Sequence, residues 1–255
     1  MAHDFEELFV EADSCGSIPL PLRRALAAVP RPLDAAVQGE KTAYGTHLAK
    51  QMAMVLSGEL TSMGVPDCRP NPTSGSGAER SFAGGIGSKQ VDVSYATEEI
   101  GLVMGISIKG IYFPDATRLK KDGHTYFAKN LVNRKGDMLA EATTLHKRFP
   151  YAVLGGLFFF DRRAASDNRS AKRSTYDRCH RAFKPFANRL SHADADEKYE
   201  CFALGLCDAT SYELSWVGDP TKSITLNQFL ATILQRVAEV NSDHFDFDGT
   251  KLTLV

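Results

Sequence analysis

Three polar side chains interrupt apolar segments of this chain, and their types suit metal-assisted hydrolysis. Asp92 lies inside one apolar segment, and Ser107 and Lys109 stand two residues apart in the next. Because side chains alternate along a strand, Ser107 and Lys109 face the same way. A buried charge needs a partner or a metal ion. A carboxylate that holds Mg²⁺ beside an amine that orients water is an arrangement that hydrolyses phosphodiesters. The alternative for this spacing alone is an Asp–Lys salt bridge at the rim of a sheet.

The elements that must position these residues are predicted from apolar periodicity and from Gly and Pro punctuation. A hairpin carries them, with strands over 90–95 and 101–110 and a turn over 96–100. A short helix and a connector precede it within 1–35. The other predictions are helices over 38–63, 126–148, 174–190 and 225–240, strands over 151–160, 199–207 and 212–217, and loops over 64–90 and 111–124.

With this order of elements, the sequence resembles the PD-(D/E)xK nuclease superfamily, which includes many type II restriction endonucleases. The resemblance covers about residues 38–160, and its sharp motif is Asp92 with Ser107-Ile108-Lys109. It implies an α/β fold with an αβββαβ core, in which a mixed central sheet is flanked by helices. Ser107 stands where the superfamily usually has Asp or Glu, so the sequence resembles the Ser-x-Lys variant of this motif.

A helix after the Lys strand supplies the missing carboxylate in restriction enzymes with Ser-x-Lys. The predicted helix over 126–148 has a polar stripe of Asn130, Arg134, Asp137 and Glu141 at helical spacing. Glu141 lies between two alanines, close to the apolar stripe of the same helix. The resemblance therefore implies Glu141 as the replacement metal ligand. The alternative is a solvent-facing acid paired with Arg134.

Three other glutamates are alternatives for this ligand. Glu40 opens the first long helix, an element that often supplies a glutamate in the superfamily. Glu98 and Glu99 fall at the tip of the predicted hairpin, at a distance from Lys109.

A basic segment follows the strand over 151–160. Between Arg162 and Arg189 there are nine Lys or Arg residues against two Asp, although the net charge of the whole chain is −1. Clustered cations neutralise phosphates, and Arg also reads guanine. We predict nucleic-acid contacts in this segment, first at Asn168, Arg169, Lys172 and Arg173. A solvated basic helix is the alternative.

Composition limits the class of protein. The 255 residues are 43% hydrophobic, which suffices for one sizeable core. We predict a single domain over 1–255, with the nuclease-like core at about 38–160 and the basic segment, extra strands and C-terminal helix at 161–255. No apolar run reaches membrane-spanning length, and the acidic N-terminus has no secretion signal. Five cysteines without a CxxC pair argue against a disulfide framework and a cysteine zinc site. These features predict a cytoplasmic protein with no membrane partner.

The resemblance implies a Mg²⁺-dependent endodeoxyribonuclease, a site-specific restriction or phage-defence enzyme that leaves 5′-phosphates. Asp92 and Glu141 would hold Mg²⁺, with Mn²⁺ as a substitute and the Ile108 carbonyl as a further ligand. Lys109 would position or activate the attacking water, and Ser107 would face the site. Double-stranded DNA is the expected partner, and cutting both strands predicts a homodimer. The alternatives are an inactive nucleic-acid-binding protein on the same fold, with Ser107 marking a lost site, and a nuclease that acts in repair or on RNA.

Overall fold

The computed structural model describes residues 20–84, 87–167, 173–208 and 212–255. The helices are α1 (Leu20–Ala28), α2 (Gln38–Ser62), α3 (Ala116–Asp122), α4 (Leu131–Arg148), α5 (Thr175–Phe183) and α6 (Leu226–Val240). The strands are β1 (Arg80–Gly84), β2 (Gly87–Val91), β3 (Val93–Thr97), β4 (Gly101–Ile111), β5 (Val153–Asp161), β6 (Cys201–Cys207), β7 (Tyr212–Trp216), β8 (Phe245–Phe247) and β9 (Leu252–Leu254). Among these helices, none is both long enough and apolar enough to span a bilayer.

A mixed five-stranded sheet in the order β3-β4-β5-β6-β7 forms the centre of the fold. The middle strands β4, β5 and β6 are parallel, and the edge strands β3 and β7 pair antiparallel with their neighbours. The apolar sequence of β5 follows from this position, because a central parallel strand is covered on both faces. The structure confirms the predicted α/β class, with a mixed central sheet and flanking helices.

Two apolar layers cover the sheet. Leucines, methionine and phenylalanine from α2 and α6 pack on one face. The apolar stripe of α4 and the aromatic side chains of α5 pack on the other. The stripe of α4 includes Met138, Ala142 and Leu145, which are completely buried and recur at the three- and four-residue spacing of a helix face. We refer to these as the α2/α6 layer and the α4/α5 layer.

The chain bends at Asp92, and this corrects the predicted single strand over 90–95. β2 pairs with β1 in a separate two-stranded sheet, whereas β3 pairs with β4 in the central sheet. Asp92 belongs to neither strand. Val91 is buried in the α4/α5 layer and Val93 in the α2/α6 layer. Residues two apart in a continuous strand share a face, so the bend rotates the chain between the two layers.

Several predicted boundaries are wrong. The expected loop over 64–90 contains the β1–β2 hairpin, and the expected loop over 111–124 contains α3. The helix predicted over 126–148 begins at Leu131, after a single 3₁₀ turn. The helix predicted over 174–190 ends at Phe183, and a 3₁₀ turn over Lys184–Phe186 follows, because Pro185 has no N–H to continue the α-helical hydrogen bonds. The sequence pattern does not predict the C-terminal β8–β9 hairpin.

Candidate active site

Two carboxylates and one ammonium converge beside the end of β4. Lys109 Nζ lies 3.4 Å from Glu141 Oε2 and 3.9 Å from Asp92 Oδ2. Strand β4 supplies Lys109, helix α4 supplies Glu141, and the bend between β2 and β3 supplies Asp92. Three elements that are distant in sequence thus bring their charged groups together at one point.

Asp92 has a structural role as well as a position in the site. Its Oδ2 accepts a 2.7 Å hydrogen bond from the Ile108 N–H. The chain leaves the central sheet at Asp92, so the carboxylate replaces the strand that would otherwise bond this part of β4. Burial raises the pKa of Asp92, and it outweighs the opposing effects of the Lys109 charge and the Ile108 N–H.

Glu141 is the most deeply buried of the three charged groups of the site. Its residue is 5% exposed, and the Ser107 hydroxyl donates a hydrogen bond to its Oε1. Burial raises the pKa of Glu141 to about 7, although Lys109 lies beside it. Ser107 therefore faces the site as its strand position predicts, and its partner is the carboxylate on the helix.

Lys109 carries the single positive charge among these four residues. Burial lowers the pKa of Lys109, but the carboxylates of Glu141 and Asp92 outweigh burial and raise it above its usual value. Near neutral pH the side chain is accordingly protonated. In this state it donates hydrogen bonds and has no lone pair with which to accept a proton.

An open cleft of about 510 Å³ leads to Asp92 and Lys109. Helix α2 lines one side and the start of α4 lines the other. The described residues that line it include five cationic side chains and three carboxylates, namely Lys41, Lys50, Lys109, Lys129 and Arg134 with Glu79, Asp92 and Asp115. Such a surplus of positive charge favours an anionic ligand.

The donor set fits Mg²⁺ better than a softer metal. Mg²⁺ binds through one or two carboxylates and keeps several waters. Asp92 and Glu141 supply two carboxylates, and Ser107 and the Ile108 carbonyl are further oxygen donors at the same place. Within the described parts of the chain, no group of three or more His, Cys, Asp or Glu side chains could hold a metal ion. Any cation here would therefore rely on two carboxylates, completed by water and substrate oxygens.

The alternative ligands lie elsewhere. Glu40 Oε2 accepts a 3.3 Å hydrogen bond from the Val37 N–H and caps the first turn of α2. Glu98 and Glu99 are exposed in the turn before β4, and about 26 Å of extended strand separates this turn from Lys109. The structure brings Asp92, Ser107, Lys109 and Glu141 together, and their chemical roles stay predictions.

Several cations of the basic segment are buried or paired, so fewer of them are free to bind phosphates than its sequence suggests. Asn168, Arg169 and Lys172 lie outside the described residues, and Arg173 is exposed. Arg189 is 2% exposed and pairs with Glu200 at 3.0 Å, so it is a core residue. Among the described residues of this segment, Arg162 pairs with Glu213, and Arg163 pairs with Asp34 and Asp161.

Sequence reasoning missed two sets of residues that contribute to the site. The cations Lys41, Lys50 and Lys129 face one cleft although they come from different helices and turns. The Tyr199 hydroxyl donates to the carbonyl of Met138, three residues before Glu141 in α4. Nothing local in the sequence distinguishes these residues from others of their type, because only the tertiary fold places them together.

No protein-family model, no curated protein and no solved structure matches this chain.

Proposed function

We propose that this chain is a Mg²⁺-dependent DNA endonuclease with a restriction-endonuclease-like core, and that it acts as a cytoplasmic homodimer on double-stranded DNA. The observation that carries the proposal is the convergence of Asp92, Glu141 and Lys109 at a point where a cation-rich cleft reaches Asp92 and Lys109. A plain salt bridge needs one acid and one base. Here two acids share one ammonium, which leaves a negative charge available to a cation.

Each residue would have a distinct role. Asp92 and Glu141 would hold Mg²⁺, with the Ile108 carbonyl as a further ligand, and Ser107 would fix Glu141 through its Oε1. When bound, Mg²⁺ supplies Lewis acidity that acidifies a water and offsets charge on the phosphate. The Lys109 ammonium would orient the attacking water by donating a hydrogen bond from Nζ. Its raised pKa supports orientation rather than proton abstraction.

The cleft would bind the phosphate backbone through its exposed cations. Lys50 is exposed on the α2 side of the cleft. We expect Lys50→Gln to weaken DNA binding uniformly across sequences and to lower the slope of log K against log salt by about 1. Lys147 is exposed on α4 outside the cleft lining, so Lys147→Gln is the matched control and should leave the slope unchanged. Equal slopes for both variants would remove the cleft from the binding surface.

Plasmid cleavage tests the nuclease activity directly. The chain should cut plasmid DNA with Mg²⁺ or Mn²⁺ and not with EDTA, and the mapped ends should carry 5′-phosphates. Asp92→Asn should abolish cutting. An Asp92→Asn protein that cuts as fast as the parent would rule out this mechanism.

An inactive nucleic-acid-binding protein is the second candidate. Ser107 supplies no carboxylate, and Lys109 already neutralises one of the two remaining acids. Binding of DNA without cleavage under any divalent cation would favour this candidate. Preferential cutting of RNA in a mixed digest would instead favour an RNA nuclease.

A further inference from the structure

A buried tyrosine is hydrogen-bonded to the helix that carries Glu141. The Tyr199 hydroxyl donates a 2.8 Å hydrogen bond to the Met138 carbonyl of α4. Met138 precedes Glu141 by three residues, so the two lie on the same face of the helix. Independently of this bond, the Ser107 hydroxyl of β4 donates to Glu141 Oε1.

Tyr199 is itself held firmly. Its N–H donates to the Phe186 carbonyl at 2.9 Å, and its carbonyl accepts from the Arg189 N–H at 3.0 Å. Its ring packs edge-on against Phe202 with a centroid distance of 5.4 Å, and the residue is 1% exposed. The hydroxyl therefore occupies a fixed point beneath the site.

Helix α4 does not need this bond for its own formation. An interior helical carbonyl already accepts the N–H four residues ahead, so the tyrosine hydroxyl uses the second lone pair of the Met138 oxygen. What the bond adds is a fixed rotation of α4 about its axis relative to the segment that leads into β6. Glu141 is one turn further along, and its direction depends on that rotation.

We propose that Tyr199 is a positioning residue, which fixes the rotation of α4 through the Met138 carbonyl, directs Glu141 toward Ser107 and Lys109, and so sets the geometry of the cation site. The proposal rests on the proposed function for its effect on a bound cation. The serine at position 107 fits this arrangement, because its hydroxyl donates to Glu141 whereas a carboxylate would place a third negative charge there.

The chain offers a matched control for Tyr199→Phe. Tyr176 is also a buried tyrosine of the α4/α5 layer, and its hydroxyl also contacts a carbonyl, that of Leu204 at 3.1 Å, in addition to the Ser215 hydroxyl. Neither of these partners belongs to the site. Both substitutions keep the aromatic ring and remove one buried hydroxyl, so similar decreases in Tm are expected.

Two readouts separate positioning from stability. The first is the ¹³C signal of the Glu141 carboxyl in metal-free protein at one fixed pH, assigned with Glu141→Gln. Tyr199→Phe should move this signal and Tyr176→Phe should not. The second is Mn²⁺ affinity by calorimetry, which should fall about 10-fold in Tyr199→Phe and less than twofold in Tyr176→Phe. Ser107→Ala is a second variant, which removes the hydroxyl that donates to Glu141 Oε1, and it should also move the Glu141 signal.

The outcomes distinguish this proposal from the proposed function. An unmoved Glu141 signal in Tyr199→Phe, or equal changes in the two tyrosine variants, would overturn the positioning role. A parent protein that binds Mn²⁺ as tightly as Tyr199→Phe does would also overturn it. If the signal moves only in Tyr199→Phe while the parent binds no Mn²⁺ and cuts no DNA, the connection stands and the nuclease proposal fails.

Discussion

Two buried charge clusters lie on the same sheet, and they differ in how their charges balance. At the candidate site, Asp92 and Glu141 share Lys109, and the Asp92 and Lys109 side chains remain 19–20% exposed. In the second cluster, Glu200 pairs with Arg189 at 3.0 Å and with His146 at 3.4 Å, and the Arg189 and Glu200 side chains are each 2% exposed.

The two clusters differ in whether their carboxylate oxygens all have hydrogen-bond donors and in whether a cleft reaches them from solvent. In the Glu200 cluster, Oε1 accepts from Arg189 and Oε2 accepts a 2.7 Å bond from the Leu154 N–H, so both carboxylate oxygens have donors. At the site, two acids share one base and a cleft reaches Asp92 and Lys109. A closed cluster in which both carboxylate oxygens have donors serves the fold, whereas an open one with surplus negative charge can take up a cation.

The largest expected effect concerns activity at the site. Asp92→Asn keeps an oxygen that accepts from the Ile108 N–H but removes the charge. We expect cleavage to fall by about 10³-fold or more, equivalent to about 4 kcal/mol, with little loss of stability because a buried charge is removed. Plasmid cleavage and urea unfolding measure the two effects. Asp246→Asn, an exposed change in the β8–β9 hairpin, should alter neither.

The Glu200 cluster should respond in the opposite way. Glu200→Gln leaves the Arg189 charge buried without its carboxylate, which costs about 3–5 kcal/mol of unfolding free energy. Cleavage per folded molecule should persist. Glu213→Gln breaks an exposed pair with Arg162 and should cost less than about 1 kcal/mol. A Glu200→Gln protein as stable as the parent would contradict the distinction between the two clusters.

The pH dependence of the free energy of unfolding should reveal the raised pKa of Glu141. The pKa of Glu141 is raised to about 7 from 4.5 in the folded protein, so the folded state binds more protons than the unfolded state between these pH values. Its contribution is complete below pH 4.5 and is lost as pH rises to 7. Relative to Glu141→Gln, the parent should thus lose about 3 kcal/mol between pH 4 and pH 8.

Urea unfolding across this range tests the expectation. Asp137→Asn is the control, because Asp137 lies on the same helix with a side chain that is 60% exposed. The difference between that variant and the parent should stay constant over the same range. A constant difference for Glu141→Gln as well would mean that the Glu141 carboxyl is not destabilised by burial.

The smallest effect decides between the alternative carboxylates. Glu40→Ala removes the cap of the Val37 N–H and should cost about 0.5–1 kcal/mol of stability. Cleavage should remain unchanged if Glu141 is the ligand. A loss of activity as large as that expected for Asp92→Asn would instead assign the ligand to Glu40.

The sequence predicts most of what depends on local pattern. Helix α2 and strands β5 and β6 lie within two residues of their predicted bounds, because their apolar periodicity or length is unambiguous. The common direction of Ser107 and Lys109 follows from strand alternation alone. Placing Glu141 beside them took the resemblance to a family as well as the stripe on its helix.

The parts that the sequence does not predict depend on contacts between distant segments. Residues 90–95 look like one strand because their side chains alternate. In the structure, the residues up to Val91 pair with β1, whereas Ser94 forms a bridge with Arg69. Tyr199 has no local signature, since its hydroxyl acts on Met138, 61 residues away. The charge of Arg189 suggests a surface residue until the burial of Glu200 beside it is known.

The bend at Asp92 ties the integrity of the site to both apolar layers at once. Val91 anchors the bend on one side of the sheet and Val93 on the other. If either layer loosens, the carboxylate between them loses its direction before the other layer has melted. The site should therefore lose its geometry at the first step of global unfolding. Heat should abolish cation binding at or below the temperature at which either layer unfolds.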